Sequence, residues 1–537
     1  MINLGMDFGS TYTMVSILEN GEPRTVQSSH LMFHYPSIVC YDEDKNKYFY
    51  GTSARERLGK KGIVGFRGFK MLLNEQMNPQ MLRERNYSDK HTPEFITSFF
   101  LRSVLENTLK KLGEDKIGLL VIGAPECWFQ SIRTIDARGT LRDICMGFKD
   151  IVARVELRSE PTDAAAFCVW NYEKKNKKQF DGSILVVDYG GGTLDTALVS
   201  VSHIEDKVQI KPEMLSGIGE NSDREIGKAG IAYQEAVVRK AISEALGVPE
   251  AQINTNPSFD RAVKDLEDAL ITDCELIDDT FADYVATPSQ LKDEILLSVK
   301  YNGWDVDINF AQMKQAYDET IHSELGEGEQ PYLALVGGFC NFYLVREQIQ
   351  DHFKLGGVNA RVRTLFHKEE DREKAIAYGA CLIANRVIDV CCVANFGIGM
   401  YIKFSNRDKV FMRYAINYGQ EYIPDKIYFA RDKDGTIAPM ILTEADTFLL
   451  NFNKNPELGF PARPKERFAA ALNKAKHDSI AVVGFSIDAA ERISVHIFNY
   501  SYEAGDDGYG NTIQPAAVIP LSTFKGSFDN MVIPKKG

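Results

Sequence analysis

Two segments of this chain bring together the residue types that hold phosphate. The first reads Gly5-Met6-Asp7-Phe8-Gly9-Ser10-Thr11-Tyr12 and the second Asp188-Tyr189-Gly190-Gly191-Gly192-Thr193-Leu194-Asp195. A polyphosphate needs several hydrogen-bond donors in a small volume, and a turn of Gly, Ser and Thr lets backbone N–H groups approach its oxygens. The aspartates ahead of the two turns, Asp7 and Asp188, would repel each other if brought together bare. A Mg2+ ion between them removes that conflict, because Mg2+ keeps several waters and takes one or two carboxylates beside phosphate oxygens. Either turn alone reads equally well as a tight hairpin. Two copies, each with Asp in the same place, point to a nucleotide. A third element, Leu335-Val336-Gly337-Gly338, offers close backbone approach where a helix is expected to open.

These turns need strands to carry them. Each follows an apolar run ending in Asp and precedes a second apolar run, which predicts two related α/β lobes facing each other. Between them a helix has readable ends: Thr92 as cap, Pro93 in its first turn, Gly113 closing it, and Ile96, Phe100, Val104, Leu105, Leu109 and Leu112 along one face. An apolar strand, Ile117–Ile122, and Pro125 come next. The stretch from about 227 to 325, rich in Asp, Glu, Ala and Leu, reads mainly as helices. A strand is expected at Tyr332–Val336 and a helix over roughly Arg372–Val387. After Asp389 the chain turns aromatic and β-branched, and Phe396–Tyr500 reads as a β domain interrupted by one helix at about Pro464–Lys476. Residues Glu503–Gly537 read as a loosely held tail.

Bulk properties bound the partners. The chain has 537 residues, enough for about three or four folding units. Apolar residues make up 44%, and 62 basic side chains stand against 75 acidic ones, a formal charge of −13. That excess speaks against nucleic acid as a partner. The run Lys174, Lys175, Lys177 and Lys178 reads as a solvated loop. The nine cysteines include no CxxC pair, so reduced thiols and a cytoplasmic location are expected. The first residues show no basic, apolar signal pattern, and the apolar stretch Ala375–Ile402 is broken by Asn385, Arg386 and Asp389. No signal peptide, membrane span or membrane partner is expected.

The motif set resembles the heat shock protein 70 chaperones, within the actin, sugar-kinase and heat-shock superfamily. Five segments match in order: the two turns above, Ser159-Glu160-Pro161-Thr162-Asp163-Ala164-Ala165-Ala166, Val336-Gly337-Gly338, and Ala375-Ile376-Ala377-Tyr378-Gly379-Ala380. The resemblance implies a two-lobed actin-like ATPase fold with duplicated ribonuclease-H-like subdomains, followed by a β-sandwich-like domain that holds extended polypeptide. It implies an ATPase domain at 1–388, a short linker at 389–394, a substrate-binding domain at 395–502 and a flexible tail without a helical lid at 503–537. It implies ATP or ADP with Mg2+ as cofactors, the metal near Asp7 and Asp188. Gly9, Ser10, Thr11, Tyr12, Gly190, Gly191, Gly192 and Thr193 would hold the phosphates. Gly337, Gly338, Phe339 and Asn341 would line the adenine side. Lys70, within Phe69-Lys70-Met71-Leu72-Leu73, resembles the catalytic lysine and would place the attacking water. Glu160 and Asp195 would help orient water and metal, with Asp7 and Thr193 completing the catalytic set. Pro125 and Arg133 resemble the proline switch and its sensing arginine.

In the β region, Val390–Gly399 resembles the start of the sandwich, Ile423-Pro424-Asp425-Lys426 its early turn, and Phe485–Asp488 with Ile493–Ile497 its last hairpin. Several residues depart from the pattern. Asn341 stands where an arginine stacks on adenine, Phe339 replaces a small polar residue, and Arg386-Val387-Ile388-Asp389-Val390 replaces a leucine-rich linker. Glu156 stands where a basic residue meets J-domain co-chaperones, which speaks against that partner. A nucleotide-exchange factor is a possible partner, and without a lid a bound peptide would exchange quickly. Three activities fit: a chaperone-like ATPase, a nucleotide-gated scaffold that recruits one specific protein, and a small-molecule kinase of the same superfamily.

Overall fold

A computed structural model describes residues 1–28, 32–58, 60–73, 82–83, 86–126, 128, 137–204, 207–218, 229–253, 258–259, 261–263, 265–266, 296–309, 312–313, 315, 332–342, 344–346, 349, 363–364, 369–394, 396–403, 410–433, 435–437, 440–441, 448–451, 459–464, 480–488, 492–500, 508–521 and 528–529.

Two sheets share one plan. In the first, Ile2–Phe8 pairs antiparallel with Tyr12–Glu19, which pairs antiparallel with Glu22–Thr25; on its other side lie Ile117–Ala124 and then Val155–Ser159, both parallel. In the second, Ser183–Tyr189 pairs antiparallel with Leu194–Ile204, which pairs antiparallel with Lys207–Ile218; on its other side lie Tyr332–Val336 and then Arg363–Thr364, again parallel. Three antiparallel strands followed by two parallel ones, twice over, is the duplicated ribonuclease-H-like arrangement of the actin-like fold. Parallel additions need a crossover. In the first sheet the helix Pro93–Leu112 lies on the crossover into Ile117–Ala124.

That helix forms where its sequence directs. The Thr92 hydroxyl accepts from the Phe95 N–H at 3.1 Å, Pro93 lies in its first turn, and Gly113 closes it with φ 68°. Ile96, Phe100, Val104, Leu105 and Leu109 are buried against the first sheet.

Two helices, Glu160–Asn176 and Glu369–Ala384, pack together and share a core with the second sheet. Their crossing is tight: a Cβ added to Gly379 would lie 1.6 Å from the Asp163 carbonyl oxygen. The second of these helices also rests on the first sheet, since a Cβ on Gly5 would lie 2.1 Å from the Cys381 nitrogen. The Asn3 amide donates to the Ala384 carbonyl at 3.1 Å. The lobes are thus joined through helix packing rather than through a continuous sheet.

The C-terminal part is a β-sandwich. One sheet runs Val410–Ile416, Gly397–Lys403, Phe448–Asn451, Phe460–Pro464 and Phe528–Asp529. The other runs Tyr428–Phe429, Ile480–Ile487, Ile493–Asn499 and Ala517–Leu521, with Met440–Ile441 also on Ile480–Ile487. Ile398, Met400, Phe448 and Leu450 of the first face Val483, Phe485, Val495 and Ile497 of the second in one core.

Several expectations change. Within 227–325, Gly230–Leu246 is helical, but Leu296–Tyr301 and Trp304–Asn309 form a β-hairpin, because Asn302 and Gly303 both adopt positive φ and close a two-residue turn. Gly337-Gly338 opens a single 3-10 turn, Gly338–Asn341, and the next described helical residues are 344–346. Ile388–Val390 pairs in parallel with Val208–Ile210, on the second lobe's sheet, so the sandwich proper starts at Gly397. The stretch read as a loose tail supplies strand Ala517–Leu521, paired with Ile493–Ile497, which is therefore not the last strand. The expected helix at 464–476 falls outside the described residues beyond Pro464, where a strand ends. Among the described residues no helix is long and apolar enough to cross a membrane.

Candidate functional site

The two glycine turns come from equivalent places in the two sheets, the ends of Ile2–Phe8 and Ser183–Tyr189. The first is braced from below. The Ser37 N–H donates to the Thr11 carbonyl at 2.8 Å and the Ser37 hydroxyl to the Gly9 carbonyl at 2.7 Å. The second closes through the Gly190 N–H donating to the Thr193 carbonyl at 2.9 Å, while the Gly190 carbonyl accepts from the Gly230 N–H at 3.1 Å. The turns face each other across the cleft: a Cβ on Gly192 would lie 3.0 Å from the Ser10 hydroxyl and from the Met71 sulfur. A side chain at Gly192 would press on the opposite wall.

Lys70 sits in the short helix Phe69–Leu72, 3% exposed, its ammonium 2.5 Å from Glu160 Oε1. The rings of Phe8 and Trp128 flank it at 5.7 and 5.9 Å. Burial alone would depress the ammonium. The charges of Glu160, Asp7 and Asp195, with the hydrogen bond to Glu160, outweigh it and hold Lys70 above its ordinary value. Glu160 reaches this place because Ser159 caps its helix, its hydroxyl accepting from the Thr162 N–H, and Pro161 lies in the first turn.

The acids around Lys70 are crowded. Burial, then the Glu160 charge, pushes the Asp7 carboxyl up to about 7, with Lys70 pulling the other way. Asp188 is raised well above the usual range by burial and by Glu160, Asp195 and Asp7, in that order. Asp188 stands directly opposite Asp195 across the hairpin. Two carboxylates disfavoured by burial and by each other suit a divalent cation. The described residues hold no group of three or more His, Cys, Asp or Glu side chains able to cage a metal. A pair of aspartates completed by water and phosphate oxygens is the arrangement Mg2+ takes.

The residues expected to line the adenine side turn inward. Phe339 meets Tyr189 and Tyr233 edge-on, at 4.9 and 5.4 Å between ring centroids. The Asn341 amide is buried, its oxygen accepting from Arg372 Nε at 2.6 Å. Gly337, at φ 84°, lies against Asp188, where a Cβ would come within 2.5 Å of a carboxylate oxygen. Gly338 is the exposed residue of this turn. Pro125 is buried after Ile117–Ala124; Arg133 falls outside the described residues. Glu156 is buried, held by Arg158 at 3.0 Å and Arg386 at 2.8 Å.

The structure adds residues that motif reading passed over. Ser37 braces the first turn, and nothing in its sequence setting marks it. Trp128 walls Lys70; its signal was rarity, as one of three tryptophans. Asp163 is fully buried beside Glu160, with no hydrogen-bond partner on either carboxyl oxygen.

Comparison with known proteins agrees with this geometry. Residues 3–211 match the family model described as Hsp70 protein. The chaperone protein DnaK of Mycoplasma mycoides subsp. mycoides SC is 28% identical over 228 residues, 42% of this chain and 34% of that protein. DnaK of Carsonella ruddii is 24% identical over 411 residues, 71% of this chain and 62% of that protein. DnaK of Metamycoplasma hominis is 30% identical over 199 residues, 37% of this chain and 30% of that protein. The chain thus spans between 30% and 62% of the length of these relatives. The family match lies over the first glycine turn, Lys70, Glu160 and the second turn, and the duplicated sheets carry those residues, so over residues 3–211 the chain is similar to the Hsp70 family.

Proposed function

We propose that this protein binds ATP with Mg2+ between the two turns, hydrolyses it slowly, and uses nucleotide state to control how its β-sandwich holds extended polypeptide. One observation carries the reading: a buried, charged Lys70 held by Glu160 among Asp7, Asp188 and Asp195, where two glycine turns face each other. Backbone N–H groups of Ser10–Tyr12 and Gly190–Thr193 would bind the phosphates, and Gly337-Gly338 would admit the base. Asp7 and Asp188 would hold Mg2+, which when bound neutralises phosphate charge. Lys70 would position the attacking water and offset charge developing on the transferred group. Glu160 and Asp195 would fix the ammonium and that water. Phosphoryl transfer rests mainly on such positioning and charge stabilisation.

The sandwich would bind peptide by backbone pairing, with apolar pockets selecting side chains. The client is unfolded or extended polypeptide, and a nucleotide-exchange factor is a further partner. The seven described cysteines are all free thiols, which supports a reducing, cytoplasmic setting.

The test is phosphate release by purified protein with Mg2+, alone and with an unfolded peptide. Slow turnover accelerated by peptide is expected. Turnover indifferent to every peptide, together with tight binding of one protein, would replace this reading with the scaffold. ATP consumption appearing only with a sugar would replace it with the kinase.

A further inference from the structure

The backbone passes from the ATPase lobes to the β-sandwich through two adjacent cysteines. Strand Ile388–Val390 pairs with Val208–Ile210, and the Cys391 N–H extends that ladder by donating to the Ile210 carbonyl at 2.9 Å. One residue later the Cys392 carbonyl accepts from the Tyr422 N–H of the sandwich at 2.8 Å. The linker then continues onto the same sandwich loop, the Ala394 N–H donating to Gln420 at 2.9 Å. Along an extended chain successive side chains point to opposite sides, and they do so here. Cys391 lies toward Glu421 and Lys211, which bridge the two domains at 2.8 Å. Cys392 Sγ accepts from Arg158 Nη1 at 3.8 Å, and Arg158 is itself held by Glu156.

Five of the seven described cysteines, Cys40, Cys145, Cys168, Cys340 and Cys381, are buried, and burial raises all five thiols. Such thiols are slow to react. Cys391 and Cys392 are both half-buried and reachable, although burial and then the Glu421 charge raise the Cys391 thiol as well. Cys392 alone of these seven has a guanidinium donating to its sulfur. A fixed positive charge beside a reachable sulfur is the setting of oxidation-prone cysteines.

We propose that Cys391 and Cys392 form a peroxide-sensitive thiol site whose oxidation detaches the linker from both domains. The Cys392 sulfur attacks one peroxide oxygen. The O–O bond breaks, the departing hydroxide takes the thiol proton and leaves as water, and Cys392 becomes a sulfenic acid. The Cys391 sulfur then attacks that sulfur. An S–S bond forms, the S–O bond breaks, and the hydroxyl leaves with the Cys391 proton as a second water. Two thiols lose two electrons and one hydrogen peroxide is reduced to two waters.

The docked backbone opposes the second step. The two thiols start among different neighbours, Cys391 by Glu421 and Lys211 and Cys392 by Arg158. Closing the eight-membered ring requires both side chains to come to one side, a turn at this peptide that would break the Cys391–Ile210 and Cys392–Tyr422 backbone bonds.

The site stands independently of ATP turnover, and its test needs none. The full chain is treated with dilute hydrogen peroxide, digested and weighed, and hydrogen exchange is followed over 208–210 and 388–394. The expected product is loss of two hydrogens within the peptide holding both cysteines, with exchange rising in both segments. Cys391→Ser should stop at the sulfenic acid on Cys392, trapped by dimedone, with exchange unchanged. Arg158→Gln should slow oxidation roughly tenfold, and Arg158→Lys should keep most of the rate. Oxidation that favours the buried cysteines, or a disulfide that leaves exchange at 208–210 unaltered, would overturn the proposal.

Discussion

Lys70 and Asp163 are buried ionisable side chains with opposite surroundings. Lys70 has an ion pair and three acids nearby. Asp163 is fully buried with no hydrogen bond to either carboxyl oxygen. Burial, followed by the charges of Glu160, Asp7 and Glu156, raises its carboxyl well above 3.8 against the pull of Arg158. The folded state therefore keeps a proton that the unfolded chain releases once pH exceeds 3.8. Native stability falls as pH rises through that window. Asp163→Asn removes this term, so it should stabilise the protein by about 1–3 kcal/mol at pH 8 and far less near pH 4. Urea unfolding of both proteins at the two pH values checks this, and equal differences at both would contradict it. Lys70 was legible because the residues around it form a motif. Asp163 was not, because Asp in the first turn of a helix is unremarkable, favoured there by the helix dipole. Its burial comes from Gly379 and Gly123, distant in sequence, closing over that turn.

The helix crossing and the sandwich edge carry predictions at the scale of elements. Gly379→Ala forces a backbone shift between Glu160–Asn176 and Glu369–Ala384, because its Cβ would lie 1.6 Å from the Asp163 carbonyl oxygen. It should cost about 1–3 kcal/mol, seen as a lower urea midpoint at unchanged slope; a midpoint equal to the parent's would contradict the packing. Removing residues 503–537 deletes Ala517–Leu521 and exposes the edge Ile493–Ile497. The truncated chain should melt lower in its sandwich transition and aggregate more readily by light scattering, whereas a loosely held tail would be dispensable. Sequence reading undervalued this strand because Pro520 removes a ladder donor. Pro is tolerated at a sheet edge, and Ala517–Leu521 is the edge. The hairpin at Leu296–Asn309 was hidden by acid-rich, helix-favouring neighbours, although its Asn302-Gly303 turn was the strongest hairpin signal in that stretch. The paired glycine turns were legible because chemistry concentrated there limits the residues that fit.

Across the whole molecule, the lobes that face each other at the glycine turns are also in contact with the linker and the sandwich. Arg158 pairs with Glu156 and touches Cys392, while Lys211 bridges to Glu421. On the proposed function these contacts would carry closure of the cleft to the linker, and ATP should then change protease cleavage around 388–394 relative to ADP; cleavage identical in both states would separate the domains functionally. The proposed function depends on the turns and Lys70 acting on ATP. The most direct measurement is single-turnover hydrolysis of preformed ATP complexes by the parent and by Lys70→Ala, with ATP affinity measured in parallel. Loss of one well-placed charged donor removes about 3–4 kcal/mol of transition-state stabilisation. The account predicts hydrolysis slowed a hundredfold or more with ATP binding retained, and hydrolysis by Lys70→Ala at the parental rate would contradict it.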